Sequence, residues 1–133
     1  MANAPQGPAP GRLLKRGDFL AAAKGRRAST ALLTLQARPR PDATEAAPRI
    51  GLTVTKKTGG AVERNRMRRR LRQAVRQIAP MAAQPGHDYV IVARQDVLGA
   101  NFDTLLADLE SAFRRVHAAS SDKGRKDAAK GQS

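Results

Sequence analysis

The 133-residue chain reads as one α+β domain, an α-β sandwich with elements in the order α-β-β-α-β-α. Three observations predict it. Apolar residues alternate with polar ones, or run together with β-branched residues, in three short segments near 30–37, 49–55 and 87–94. In two longer segments, beginning near Ala61 and Asn101, they recur at three- and four-residue steps, as an amphipathic helix requires. The second strand, the first long helix and the third strand then follow one another at the spacing of a parallel crossover unit. The length fits one domain, and about a hundred residues remain after the low-complexity ends are set aside, enough for one modest core.

Taken in order, residues 1–11 are Ala, Pro, Gly and polar side chains with nothing to bury, and are expected to form a disordered arm. The folded part is expected over 12–117. Asp18 is placed to start a short helix through Ala23, with Gly25 as its stop, and Leu20 is assigned to the core. Leu33, Leu35 and Ala37 alternate against Thr34 and Gln36 as a strand. The proline-punctuated stretch Arg38–Pro48 cannot lie inside a sheet, so a long mobile connection is expected, with the flanking strands paired as an antiparallel hairpin. Ile50, Leu52 and Val54 share one face of the next strand. Met67, Leu71, Ala74, Val75 and Ile78 then form a narrow helical stripe, which is expected to stop before Pro80. Pro85-Gly86 marks a turn into the strand His87–Arg94. The last helix, Asn101–His117, carries its acids early and Arg114-Arg115 late, as the helix dipole prefers. Residues 118–133 are small and charged, an expected disordered basic tail.

Charge is the strongest functional signal. The chain carries a formal +14, and between Lys56 and Arg76 nine basic residues face the single acid Glu63. A solvated helix face would mix signs at i,i+4 spacing. Seven arginines crowded into 64–76 repel one another instead, so an external polyanion is the more economical explanation, and nucleic acid the first candidate. Gly59-Gly60 just ahead permits a tight turn.

Other chemistry is poorly supplied. With no cysteine there is neither a disulfide nor a thiolate metal site. His87 reads as a turn residue and His117 as a helix end, neither with ligand spacing around it. Asp103, Asp108 and Glu110 suit dipole and solubility, while Asp88 and Asp96 have no obvious partner. No phosphate-cradling or dinucleotide motif is present, so the polypeptide is not expected to be catalytic alone. No apolar run approaches the roughly 20 residues of a membrane span. The opening residues hold no apolar signal core, which points to the cytoplasm.

The spacing Thr55-Lys56-Lys57-x-Gly59-x-Ala61-Val62-x-Arg64-Asn65-Arg66-x-Arg68-Arg69-x-x-Arg72 resembles the signature of the protein subunit of bacterial ribonuclease P, and the resemblance extends over about Arg12 to His117. It implies a fold similar to a ribosomal-protein domain, with a left-handed βαβ crossover where general chain sterics favour a right-handed one. It also implies a ribonucleoprotein endoribonuclease whose RNA subunit cleaves the 5′ leader from precursor tRNA with Mg²⁺ bound mainly through that RNA. The partners implied are the catalytic RNA and precursor tRNA, with no membrane and no obligate protein partner. Carried over residue by residue, Phe19, Lys56 and Lys57 would face the leader, and Arg64, Asn65, Arg66, Arg68, Arg69 and Arg72 would face RNA phosphates, with Arg76 on the same cationic side. Arg70 falls where relatives carry an apolar residue, and Ala23 where many carry a second aromatic. A ribosomal RNA-binding protein is the nearest rival. A leucine-zipper basic helix fails for want of heptads, and a membrane-surface helix for the narrowness of its apolar stripe.

Overall fold

The computed structural model describes residues 10–41 and 43–121. The elements are β1 (Gly11–Arg12), α1 (Arg16–Ala23), β2 (Arg26–Ser29), β3 (Leu33–Pro39), β4 (Arg49–Thr53), α2 (Ala61–Ala82), β5 (His87–Ala93) and α3 (Phe102–Ser121). Short 3-10 turns lie at Lys56–Thr58 and Gln95–Val97. They form one sheet of order β1-β4-β5-β3-β2, with β1, β4 and β5 parallel and β3 and β2 antiparallel. The expected crossover from β4 through α2 to the parallel neighbour β5 is therefore present.

Several expectations change. β3 runs through Arg38 to Pro39, inside the stretch expected to stay out of the sheet; Pro39 is tolerated because β2 pairs only as far as Ala37, so that end of β3 is flanked by β5 alone. The strands flanking the proline-rich stretch do not pair, because β5 lies between them. Its run Tyr89-Val90-Ile91 is buried on both faces, and the strand able to lose water on both sides takes the centre of the sheet. The true hairpin is β2–β3, and β2 is a strand the alternation did not reveal. The connection expected to be mobile is pinned to the turn before β5. There the Arg40 N–H donates to the Gly86 carbonyl at 2.6 Å and the Gly86 N–H to the Ala46 carbonyl at 2.8 Å. Gly86 has φ +75°, and a Cβ there would lie 2.6 Å from the Thr44 oxygen, so glycine is required twice over.

α2 does not stop before Pro80 but runs to Ala82, with the Ala83 N–H closing on the Ala79 carbonyl at 2.8 Å. So near the C-terminus, proline removes one helical hydrogen bond and interrupts little else. Leu20, assigned to the core, is 53% exposed. The residues of α1 packed on the sheet are Phe19 and Ala22, and Leu20 lies off that side. At the ends, β1 opens at Gly11, inside the segment read as an arm, and α3 continues to Ser121, inside the segment read as a tail. The remainder of the arm, and the tail beyond Ser121, lie outside the described residues.

The sheet separates two cores. On one side α2 contributes Met67, Leu71 and Ala74, and α3 contributes Leu105, Leu109, Phe113 and Val116. These pack on Leu33, Leu35, Tyr89 and Ile91 of the sheet, so the predicted stripes of both helices do face the core. On the other side the short α1 covers Leu13 and Val90 with Phe19 and Ala22. Asn101 starts α3 by accepting the Asp103 N–H on its side-chain oxygen at 2.8 Å.

Candidate nucleic-acid interface

β4 delivers the chain into the turn Lys56–Thr58, where both lysines are exposed and the Thr58 hydroxyl donates to the Thr55 carbonyl at 2.6 Å. The helix that follows is closed by its only acid. Glu63 reaches back so that its Oε1 accepts the Gly60 N–H at 2.8 Å, satisfying an orphan donor and placing a negative charge at the helix N-terminus. Glu63 is thus committed to the cap. Arg64 is committed in part as well, donating Nε to the Gly59 carbonyl at 3.2 Å.

Beyond that first turn Arg66, Arg69, Arg72 and Arg76 are exposed and Arg68 is half-buried. Asn65 bonds a side chain rather than local backbone: its Oδ1 accepts from Arg68 Nη1 at 3.0 Å and orients that guanidinium. Among the described residues every ion pair joins Arg38, Arg40 or Arg49 to Asp18 or Asp88, and none reaches an arginine of α2. The Arg72 guanidinium is held below the usual arginine value, first by burial and then by the neighbouring Arg12 and Arg68 cations. Like charges are being held together without a counter-charge.

Beside this helix face lies a cleft of about 580 Å³, lined by Arg12, Leu13, Phe19, Gly51, Arg68, Arg72 and Arg76 among others. β1 pairs with β4 only through Gly11–Arg49 and Arg12–Ile50, so the outer edge of β4 past Ile50 has no strand beside it and the cleft opens there. Phe19 lies over Gly51 so closely that a Cβ at Gly51 would be 2.5 Å from its Cζ. Phe19, Arg68, Arg72 and Arg76 are thus brought to one cleft. Lys56, Lys57, Arg64, Asn65, Arg66 and Arg69 are not among its lining. Arg12, Leu13 and Gly51 were not singled out from the sequence. Arg12 carries only the signal of being one more cation.

Asp88, which had no obvious partner in the sequence, is fully buried among three arginines. Arg49 grips it with two bonds, Nε to Oδ1 at 2.9 Å and Nη2 to Oδ2 at 2.8 Å. The hydrogen bond to Asp88 is the largest influence holding the Arg49 pKa above its ordinary value. Arg70 is engaged within the fold instead: its Nη2 donates to the Ala100 carbonyl and its guanidinium lies 5.9 Å from the Phe102 ring centroid. The two histidines, far apart in sequence, meet with ring centroids 5.1 Å apart next to Tyr89. The Tyr89 oxygen accepts the Gln84 N–H at 2.8 Å and lies 2.6 Å from His117 Nε2. Burial, then the neighbouring His87 and Arg26, lowers the His117 pKa to about 4.

These features define a class: a small cationic α+β protein with one helix face left without counter-charge beside a partly apolar cleft. The model of the family described as Ribonuclease P matches residues 8–117, and the chain belongs to that family. It is 49% identical over 108 residues to the ribonuclease P protein component of Ruegeria pomeroyi, covering 80% of this chain and 86% of the relative. Against the ribonuclease P protein component of Caulobacter vibrioides it is 45% identical over 124 residues, 93% of this chain and 82% of the relative. Among solved structures, the RNase P protein from Thermotoga maritima superposes with a TM-score of 0.67 at 24% identity, covering 79% of this chain and 96% of that one, which bears on the fold alone. Among the described residues no helix is long and apolar enough to cross a membrane.

Proposed function

We propose that this protein binds the catalytic RNA of ribonuclease P through the exposed face of α2 and receives the 5′ leader of precursor tRNA in the cleft floored by Phe19. The observation that carries this is the absence, among the described residues, of any acid paired with the α2 arginines, although arginines elsewhere in the same domain are paired. Uncompensated repulsion persists in a fold when a polyanion relieves it, and phosphates release counterions as they do so. Phe19 offers a ring face to one base of a single strand, worth about 1–3 kcal/mol and tolerant of sequence. Arg68, Arg72 and Arg76 line the same cleft and suit the strand's phosphates. Lys56 and Lys57 extend the cationic surface at the start of the helix.

In this reading the RNA performs the cleavage and holds the Mg²⁺. Three of the protein's acids are otherwise engaged: Asp88 and Asp18 with arginines, Glu63 with the α2 cap. Among the described residues no group of three or more potential metal ligands gathers. The polypeptide's part is to bind, orient and neutralise charge, in the cytoplasm and without a required protein partner.

The test is precursor-tRNA cleavage at low Mg²⁺ with a bacterial ribonuclease P RNA, with and without this protein. Correct 5′ cleavage that needs both components is expected. Cleavage by the protein alone would place catalytic groups in the polypeptide, and tight RNA binding without rescue would make it a general RNA-binding protein.

A further inference from the structure

α1 is weakly seated by the usual criteria. It has eight residues, no side-chain hydrogen bond at its N-terminus and Ala22 as its one fully buried residue. Apolar burial on that scale does not fix the height and tilt of a two-turn helix. The polar contacts do more. The register places Arg38 on β3 and Arg49 on β4 on either side of Asp88 on β5. Arg38 Nη2 lies 3.3 Å from Asp88 Oδ2, and Arg40 Nε lies 3.2 Å from Asp88 Oδ1, so the buried carboxylate anchors all three guanidinium groups. The Nη2 atoms of Arg38 and Arg49 also reach upward to the two oxygens of Asp18 on α1, at 3.4 and 3.5 Å. Asp18 precedes Phe19, whose ring lies on Gly51.

We propose that Asp88, Arg38, Arg49 and Asp18 form a positioning relay that seats α1 on the sheet and thereby sets the Phe19 ring over the cleft floor. Asp18 and Asp88 are then positioning residues for the nucleotide in the cleft, acting through Phe19 without touching RNA. A stacking ring gains affinity from being held in place before the base arrives. The inference rests on the reading of the cleft as the leader's seat.

The experiment uses the holoenzyme reconstituted with ribonuclease P RNA, and measures Kd for precursor tRNA with a leader and for mature tRNA. Asp18→Asn removes the charge and keeps the shape at a partly exposed position outside both cores. It is expected to reduce the precursor-over-mature preference about two- to fivefold, the range of a partly exposed ion pair. Binding to the RNA subunit should be unchanged, and Asp18→Glu should restore most of the preference. A merely structural role would weaken RNA-subunit binding and both substrates together, and that result overturns the proposal, as does an unchanged preference. Phe19→Ala is run alongside. If it lowers the preference while Asp18→Asn does not, the relay fails and the cleft reading stands. If Phe19→Ala leaves the preference unmoved, the cleft reading fails and the relay with it.

Discussion

Arginines do two opposite things in this protein. On α2, Arg66, Arg69, Arg72 and Arg76 stand exposed, with no acid against them among the described residues. On the α1 side of the sheet, Arg38, Arg40 and Arg49 gather around the buried Asp88, and two of them also reach Asp18. The side chain is the same. What differs is the counter-charge, and with it the direction in which electrostatic energy is spent. The sheet group is satisfied within the fold, whereas the helix group has no acid against it among the described residues, which is what the proposed RNA-binding role requires. Arg70 stands between the two, embedded in the basic run yet bonded to the Ala100 carbonyl.

The sharpest way to break that contrast is Asp88→Ala. Three clustered arginines would lose their buried carboxylate, and a loss of about 3 kcal/mol in urea unfolding is expected, the cost of breaking a buried pair from one side. A loss below about 0.5 kcal/mol would show that the sheet arginines are as independent as those of the helix. The converse experiment replaces Arg68, Arg69 and Arg72 together by Ala. RNA affinity should fall, and the slope of log K against log salt should flatten by about 0.7–0.9 for each phosphate no longer neutralised. Stability should hold or rise as repulsion is relieved. An unchanged slope would remove α2 from the interface.

Gly51→Ala tests the floor between the two groups. The added methyl would meet Phe19 at 2.5 Å and Leu13 Cβ at 3.1 Å, so an overpacking cost of about 1–3 kcal/mol is expected in thermal unfolding. Arg70→Met keeps the aliphatic stem and removes the bond to Ala100. Thermal unfolding should show a loss of about 1 kcal/mol while the salt slope of RNA binding stays constant, which would class Arg70 with the sheet arginines. The last test lies outside both groups. The folded-state pKa of His117, about 4, is below its ordinary 6.5, so between these values the unfolded chain binds a proton that the folded chain refuses. Its contribution to stability is complete above about pH 6.5 and is lost as pH falls toward 4. His117→Gln should flatten the pH dependence of unfolding in that window, and an equal slope in both proteins would mean that the imidazole is not desolvated.

Periodicity made much of the fold legible. Leu33, Leu35 and Ala37 on one face, and Met67, Leu71 and Ala74 in one stripe, are statements about single elements, and all six residues are buried. The cationic helix was equally plain, because its charge imbalance lies within one contiguous stretch. The spacing from Thr55 to Arg72 carried the family resemblance in the same local way. Phe19 was reached only through that resemblance, since a lone aromatic beside Leu20 carries no physical sign of which of the two faces the sheet.

What the chain determines alone is therefore what lies within a few residues: the period of β3, β4, α2 and α3, and the sign of the α2 face. Tertiary structure decided the rest. It put β5 between β3 and β4, left Leu20 in solvent, and let α2 run two residues past Pro80. It also decided which arginines are neutralised, by bringing Asp18, Arg38, Arg40, Arg49 and Asp88 to one point. The reason is one of range. Hydrophobic period and helix capping act between near neighbours along the chain, while an ion pair depends on distance in space, which strand order sets only once the core has closed.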